Sequence, residues 1–217
     1  MDIMQREIAI LKKGLVELKL NQIDSVIPKF QQYLEVLYEY KNRIHLISHR
    51  DYTRISLKHF LPSLVVLPLL GHIQRACDIG AGAGFPSVPI KILRPEIEFT
   101  LFESVKKKAS FLQYLIERLG LTKIQVVNMR AEDYKDENFE LILIRAAGAL
   151  KKLVPTVYQL LKPNGMAIFY KSPNINKELE GAKQVIEKYR FVLDVKETLT
   201  PVSHEALALV SLQKQSG

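Results

Sequence analysis

The chain has 217 residues, 47% hydrophobic and 25% charged, with a net charge of +8. That balance excludes a disordered chain, and no apolar run reaches the ~18 residues that a membrane span needs. The single cysteine, Cys77, excludes an internal disulfide framework and a cysteine-based zinc site, while the basic surplus favours polyanionic partners. The opening segment MDIMQREIAILKK carries charges where a secretory segment is apolar, so a cytoplasmic protein is expected.

Residues 1 to about 70 read as helical. FQQYLEVLYEY sets Phe30, Leu34 and Leu37 on one face, with Tyr33 and Tyr38 beside them. LKHFLPSLV repeats the pattern with Leu57, Phe60, Leu61, Leu64 and Val65. Pro62 must there occupy a first turn or kink the helix. From Cys77 the pattern changes. ACDIGAG is a short strand entering a glycine loop, VPIKIL a helix, and EFTLFES a strand. KKKASFLQYLIERLGL is an amphipathic helix stopped at Gly120. IQVVNMRAEDY is a strand and turn, and FELILIRA is a strand apolar enough to be buried on both faces. LKKLVPTVYQLL is a helix, Pro163-Asn164-Gly165 a turn, and MAIFYKS the next strand. KELEGAKQVIEKYR is a last helix, and FVLDVKETL and ALALVSLQK form a closing antiparallel pair. This alternation predicts an α/β fold: a Rossmann-like, mostly parallel sheet of about seven strands with helices on both faces. Two parts are expected, a helical region over 1–70 and a sheet domain over 71–217.

Ligands of such sheets sit at the carboxyl ends of the strands. The glycine loop there is not a dinucleotide fingerprint. In G-x-G-x-x-G register from Gly80 the third glycine falls on Phe85, and from Gly82 it falls on Ser87. The order Asp78-Ile79-Gly80-Ala81-Gly82-Ala83-Gly84 instead resembles motif I of the class I S-adenosylmethionine (SAM) methyltransferases. SAM has no phosphate but carries an ammonium and a sulfonium, which suit a carboxylate such as Asp78. Glu103 closes the second strand, where it can accept ribose hydroxyls. Glu132 or Asp133, after the third strand, can accept from the adenine amino group, and Phe85 offers an apolar surface. Cys77, inside the first strand, reads as a small buried hydrophobe. No metal site is expected.

DIGAGAGFPSVPIKILRPE, LFESVKKKASFL, RAED, LIRA, LISHRD and KHFLPSL together resemble the RsmG (GidB) family over roughly residues 30–172. The resemblance implies a class I methyltransferase fold and SAM-dependent methylation of guanine N7 in a decoding-region loop of bacterial 16S rRNA. It also implies cofactor contacts at Gly80, Gly82, Phe85, Ala131, Glu132 and Arg145, with Glu103 at the ribose position. The partner implied is 16S rRNA or the small ribosomal subunit, bound by a monomer. The chain departs from the family pattern at Tyr40, His45, Pro62, Ser87 and Ser172.

The residues agree with that chemistry. Methylating an exocyclic amine uses an Asn/Asp-Pro-Pro-aromatic loop where this chain reads IRAAG, and methylating pyrimidine C5 needs a cysteine nucleophile there. Guanine N7 already presents an in-plane lone pair, so holding it in line suffices and no catalytic base is assigned. Arg145 is the candidate positioning residue: it is expected to hold a phosphate, the cofactor carboxylate or a wall of the site, against a salt bridge to Asp78 or Glu132. His49, Arg50, Arg54, Lys58, His59, Lys106 to Lys108, Lys151, Lys152 and Lys171 are candidates for a basic rim. Two other classes fit the same loop. One is a small-molecule methyltransferase with an enclosed pocket; the other is an RNA-binding or ribosome-assembly protein without turnover.

Overall fold

A computed structural model describes residues 2–21, 23–136 and 138–216. Two helices open the chain, α1 (Ile3–Glu17) and α2 (Ile23–Tyr40). The apolar stripe read from the sequence is the buried one: Phe30, Tyr33, Leu34 and Leu37 of α2 are fully buried. A π-helical turn (Ser56–Phe60) then runs into the short α3 (Leu61–Leu64). Pro62 stands at the start of α3, which continues the π-helical turn without a break, so its missing N–H leaves a carbonyl of that turn free for another donor. The buried carboxylate of Glu7 on α1 accepts the Ser56 N–H at 2.6 Å, and the Ser56 hydroxyl donates to the Glu7 carbonyl at 2.8 Å. Those two bonds fasten α1 to the start of the π-helical turn.

The sheet follows: β1 (Arg75–Ile79), β2 (Glu98–Phe102), β3 (Ile124–Val127), β4 (Phe139–Arg145), β5 (Leu161–Lys171), β6 (Phe191–Leu199) and β7 (Ala206–Lys214). Among the described residues these form one seven-stranded sheet in the order β3-β2-β1-β4-β5-β7-β6. Only β7 runs against its neighbours, pairing antiparallel with β5 and β6. The parallel strands are joined through α4 (Ser87–Leu93), α5 (Lys106–Arg118) and α6 (Leu150–Leu160), and α7 (Asn176–Lys188) leads from β5 to β6. Leu141, Ile142, Leu143 and Ile144 of β4 are buried in alternation against two different clusters, which is why FELILIR is apolar throughout. One cluster holds the sheet against α2 to α5, the other against α6 and α7. Leu11, Phe30 and Phe60 share the first cluster with Val88, Leu101 and Leu143, so the N-terminal helices and the sheet bury one continuous core.

Chain order reverses at β1, which has β2 on one side and β4 on the other. That is where a crevice opens at the carboxyl edge. Gly120 ends α5 as expected, at φ +57°, with the Leu121 N–H returning to the Ile116 carbonyl at 3.1 Å. The expected Pro163-Asn164-Gly165 turn is not a free connection. Leu161 already pairs with Phe139 and Met166 with Leu141, so the four residues between form a bulge inside β5, with Asn164 at φ +63°.

Candidate functional site

The glycine loop is built for close approach. Gly80, Gly82 and Gly84 have φ of +74°, +55° and +95°, a region that L side chains enter only with strain. The N–H groups of Gly80 and Ala81 both donate to the Phe102 carbonyl, at 2.9 and 3.1 Å, which ties the loop to the end of β2. A Cβ on Gly84 would lie 2.6 Å from the Tyr33 hydroxyl, which donates to the Ala83 carbonyl at 2.6 Å. Tyr33 of α2 therefore braces the loop, a role that its place on an apolar helical face did not reveal.

Two connected lobes open beside this loop, of about 210 and 250 Å³, sharing Gly80, Lys108 and Ala146. Gly80, Gly82, Phe85 and Arg145 line the first. Gly80, Glu103, Ala131 and Glu132 line the second. All seven residues singled out in the sequence thus border one cleft at the switch point. Asp133, the alternative to Glu132, is exposed and lines neither lobe. A larger cavity of about 600 Å³ lies by the C-terminal end of α4, at the amino edge of the sheet. Its Lys29 and Arg94 head groups are already bound to backbone carbonyls.

Glu103 is 6% exposed, and each carboxylate oxygen holds a backbone donor: the Gly82 N–H at 3.0 Å and the Val105 N–H at 2.8 Å. It sets the loop and the start of α5 while remaining on the wall of the second lobe. Glu132 is exposed and pairs loosely with Arg130 at 3.6 Å. Asp78 is not a lining group. It lies fully buried beneath the loop, accepting the Ser87 N–H at 3.3 Å on one oxygen, while its other oxygen has no partner among the described residues. The serine at the departing position 87 is compatible with the loop: it is fully buried and its hydroxyl reaches the Gly84 carbonyl at 3.5 Å.

The inner wall is aromatic and cationic. Phe85 stacks on Tyr33 (5.4 Å, 17°) and on His59 (4.8 Å, 22°), and the Arg145 guanidinium lies 5.9 Å from its ring. Arg145 does not pair with Asp78 or Glu132. Its guanidinium donates to the Lys58 carbonyl at 2.6 Å, the His59 carbonyl at 3.3 Å and the Ser63 hydroxyl at 3.2 Å. It forms a wall by gripping the π-helical turn, whose widened backbone turns those carbonyls toward β4. His59, read from the sequence only as a rim cation, sits inside the first lobe, held by Asp51 at 3.3 Å.

Burial, aided by the Arg145 charge and opposed by Asp51, lowers the His59 pKa to about 4. Burial raises that of Asp78 to about 7, against the hydrogen bonds from Ser87. The two shifts act on stability with opposite sign. His59 binds its proton more weakly when folded, so its contribution is lost as pH falls from 6.5 to about 4. Asp78 binds its proton more tightly when folded, so its contribution is present at pH 4 and lost as pH rises to about 7. The two slopes cancel between pH 4 and 6.5. Urea-unfolding free energies of the wild type will change little between about pH 5.5 and 6.5, above the range where the lowered carboxylates of Asp51, Glu96, Glu140 and Glu178 add a slope of their own. His59→Gln will leave stability falling with rising pH, and Asp78→Asn will leave it rising; parallel profiles for both variants would refute the assignment.

The family model described as GidB, rRNA small subunit methyltransferase G, matches residues 26–205. The chain belongs to this family. It is 34% identical over 212 residues to the ribosomal RNA small subunit methyltransferase G of Desulforamulus reducens, covering 94% of this chain and 88% of that one. The corresponding Lactococcus lactis protein is 33% identical over 214 residues, covering 94% and 90%. In fold, this GidB-family chain is similar to the tRNA (m1A58) methyltransferase TrmI of Aquifex aeolicus, with a TM-score of 0.59 and 18% identity over 85% of this chain and 76% of that one. A methyltransferase of Pyrococcus furiosus gives the same TM-score at 15% identity, covering 87% and 99%. Helix α1, with Glu7, lies outside the matched GidB segment.

Proposed function

We propose that the protein is a SAM-dependent methyltransferase that methylates N7 of a guanine in a loop of bacterial 16S rRNA, as a cytoplasmic monomer. Residues 71–217 hold the cofactor and the helical region 1–70 supplies the substrate side of the cleft. SAM, when bound, supplies a methyl group on a sulfonium. The residues present fit it: the left-handed loop presents bare backbone at Gly80 to both lobes, Glu103 and Glu132 place carboxylates on one lobe, and Phe85 and Arg145 wall the other.

The observation that carries the reaction type is that each ionisable side chain of the first lobe fails as a proton acceptor. Arg145 is spent on carbonyls. His59, with a pKa near 4, is too weak a base at neutral pH, and Lys108 is a cation. An acceptor that must lose a proton is poorly served there, whereas a ring nitrogen with a free lone pair needs only orientation. The second lobe, on the cofactor side, has an exposed rim, with Met129 37% exposed and the Arg130 side chain 69% exposed. Among the described residues no helix is long and apolar enough to cross a membrane.

Calorimetric titration with SAM, followed by labelled-methyl transfer to unmodified small-subunit RNA and mapping of the product, tests this. Micromolar SAM binding and label on guanine N7 are expected. Binding without transfer to RNA would move the substrate elsewhere, and absence of SAM binding would overturn the reading.

A further inference from the structure

The structure divides the basic residues around the cleft into two groups. Arg54, Lys58, His59 and Lys171 are held by Asp51, Glu205, Asp51 and Glu178, and Arg145 is held by carbonyls. Lys106, Lys107, Lys108, Lys151 and Lys152 have neither an ion pair nor a side-chain hydrogen bond among the described residues. Three of them open α5 and two open α6, helices with no acidic residue in the first turn. A cation there opposes the helix dipole and is disfavoured; α2 and α7 follow the ordinary rule with Asp24 and Glu178.

Topology gives these positions a shared purpose. α5 follows β2 and α6 follows β4, the two neighbours of β1, so their first turns flank the glycine loop. The helices pack on opposite faces of the sheet. The five lysines therefore border the cleft from both sides, and the partly buried Lys108 reaches the junction of the two lobes.

We propose that these five lysines form a two-sided phosphate clamp, in which the first turns of α5 and α6 hold the single-stranded RNA backbone on either side of the base inserted between them. This rests on the RNA-substrate reading above and specifies which cations carry it. The paired cations set the shape of the site, and the unpaired ones neutralise phosphates.

The test is the salt dependence of binding to a labelled single-stranded oligoribonucleotide with the small-subunit loop sequence. A single-strand phosphate contact adds ~0.7 to the slope of log Kd against log salt. The double variants K106Q/K107Q and K151Q/K152Q, which spare Lys108 at the junction of the lobes, should each lower that slope by about 1.4. Calorimetric SAM affinity should stay within twofold of wild type in both. Lys162→Gln, which removes a charge paired with Glu140 at the far edge of the sheet, should leave the slope unchanged. Unchanged slopes in the two lysine variants, with RNA binding intact, overturn the clamp alone. A per-charge change as large in Lys162→Gln also overturns it, by making bulk charge the cause. Loss of SAM affinity in K106Q/K107Q assigns those lysines to the cofactor and overturns it too. Wild-type protein that binds SAM but no RNA at low salt overturns the clamp together with the RNA reading.

Discussion

Gly80→Val abolishes SAM binding while the protein still folds. At φ +74° a Cβ on residue 80 would stand 2.9 Å from the Ala147 Cβ and 3.7 Å from its Cα. A β-branched side chain adds left-handed strain of about 1–2 kcal/mol and projects into the space shared by both lobes. The strain is affordable for a domain of this size, but the occupied space is not available to a ligand. We expect affinity to fall by about 100-fold or more, a loss of ~2.7 kcal/mol or greater in binding, with a thermal midpoint lowered by a few degrees. Gly120→Ala is the control: it bears similar strain at φ +57° with nothing within 4 Å of the new Cβ, so it should lose a comparable increment of stability and no SAM affinity. Wild-type affinity in Gly80→Val would show that the cofactor lies elsewhere.

Arg145→Ala loses stability and turnover together. The sequence marked the residue as a positioning candidate, with a wall of the site among its expected roles. The guanidinium donates to the Lys58 carbonyl of the π-helical turn, and it also holds the His59 carbonyl and Ser63 hydroxyl. Truncation removes the guanidinium bonds, although the His59 carbonyl keeps the Ser63 hydroxyl at 2.6 Å, and loosens the turn carrying His59 against Phe85. We expect ~3 kcal/mol of destabilisation from the lost charge-assisted bonds, a midpoint lower by about 6–12 °C, and methyl transfer reduced at least as much. Arg145→Lys keeps the charge but not the fork, so it should recover part of the stability and little of the turnover. Full folding stability in Arg145→Ala, measured by urea unfolding, would remove the residue from the wall.

The layout of the sheet domain was legible because local rules and the fold agree there. FELILIR is apolar throughout because β4 is covered on both faces, and Gly120 sits where a left-handed residue ends a helix. Asp78-Ile79-Gly80-Ala81-Gly82-Ala83-Gly84 announced a loop that a backbone or ligand approaches closely, and each of its three glycines is left-handed. The bulge at Pro163-Asn164-Gly165 was read as a simple turn, since turn residues have the same local signature whether or not their flanks are already paired.

The parts of the site that depend on long-range contacts were not legible. Tyr33 and Ala83 are fifty residues apart along the chain, and Arg145 reaches Lys58 across eighty-seven. Nothing in either segment names the other. His59 read as a surface cation because its charge state is set by burial among partners from three segments. Asp78 read as a ligand-facing carboxylate, although strand alternation and the Ser87 N–H turn it beneath the loop. By itself the sequence determined the order of elements, the glycine loop, the acidic residues at the strand ends and the family. Those rest on periodicity and on backbone angles, which neighbours a few residues apart dictate. Only the tertiary structure decided which charges are spent and which are free, because pairing and desolvation depend on what the fold brings into contact.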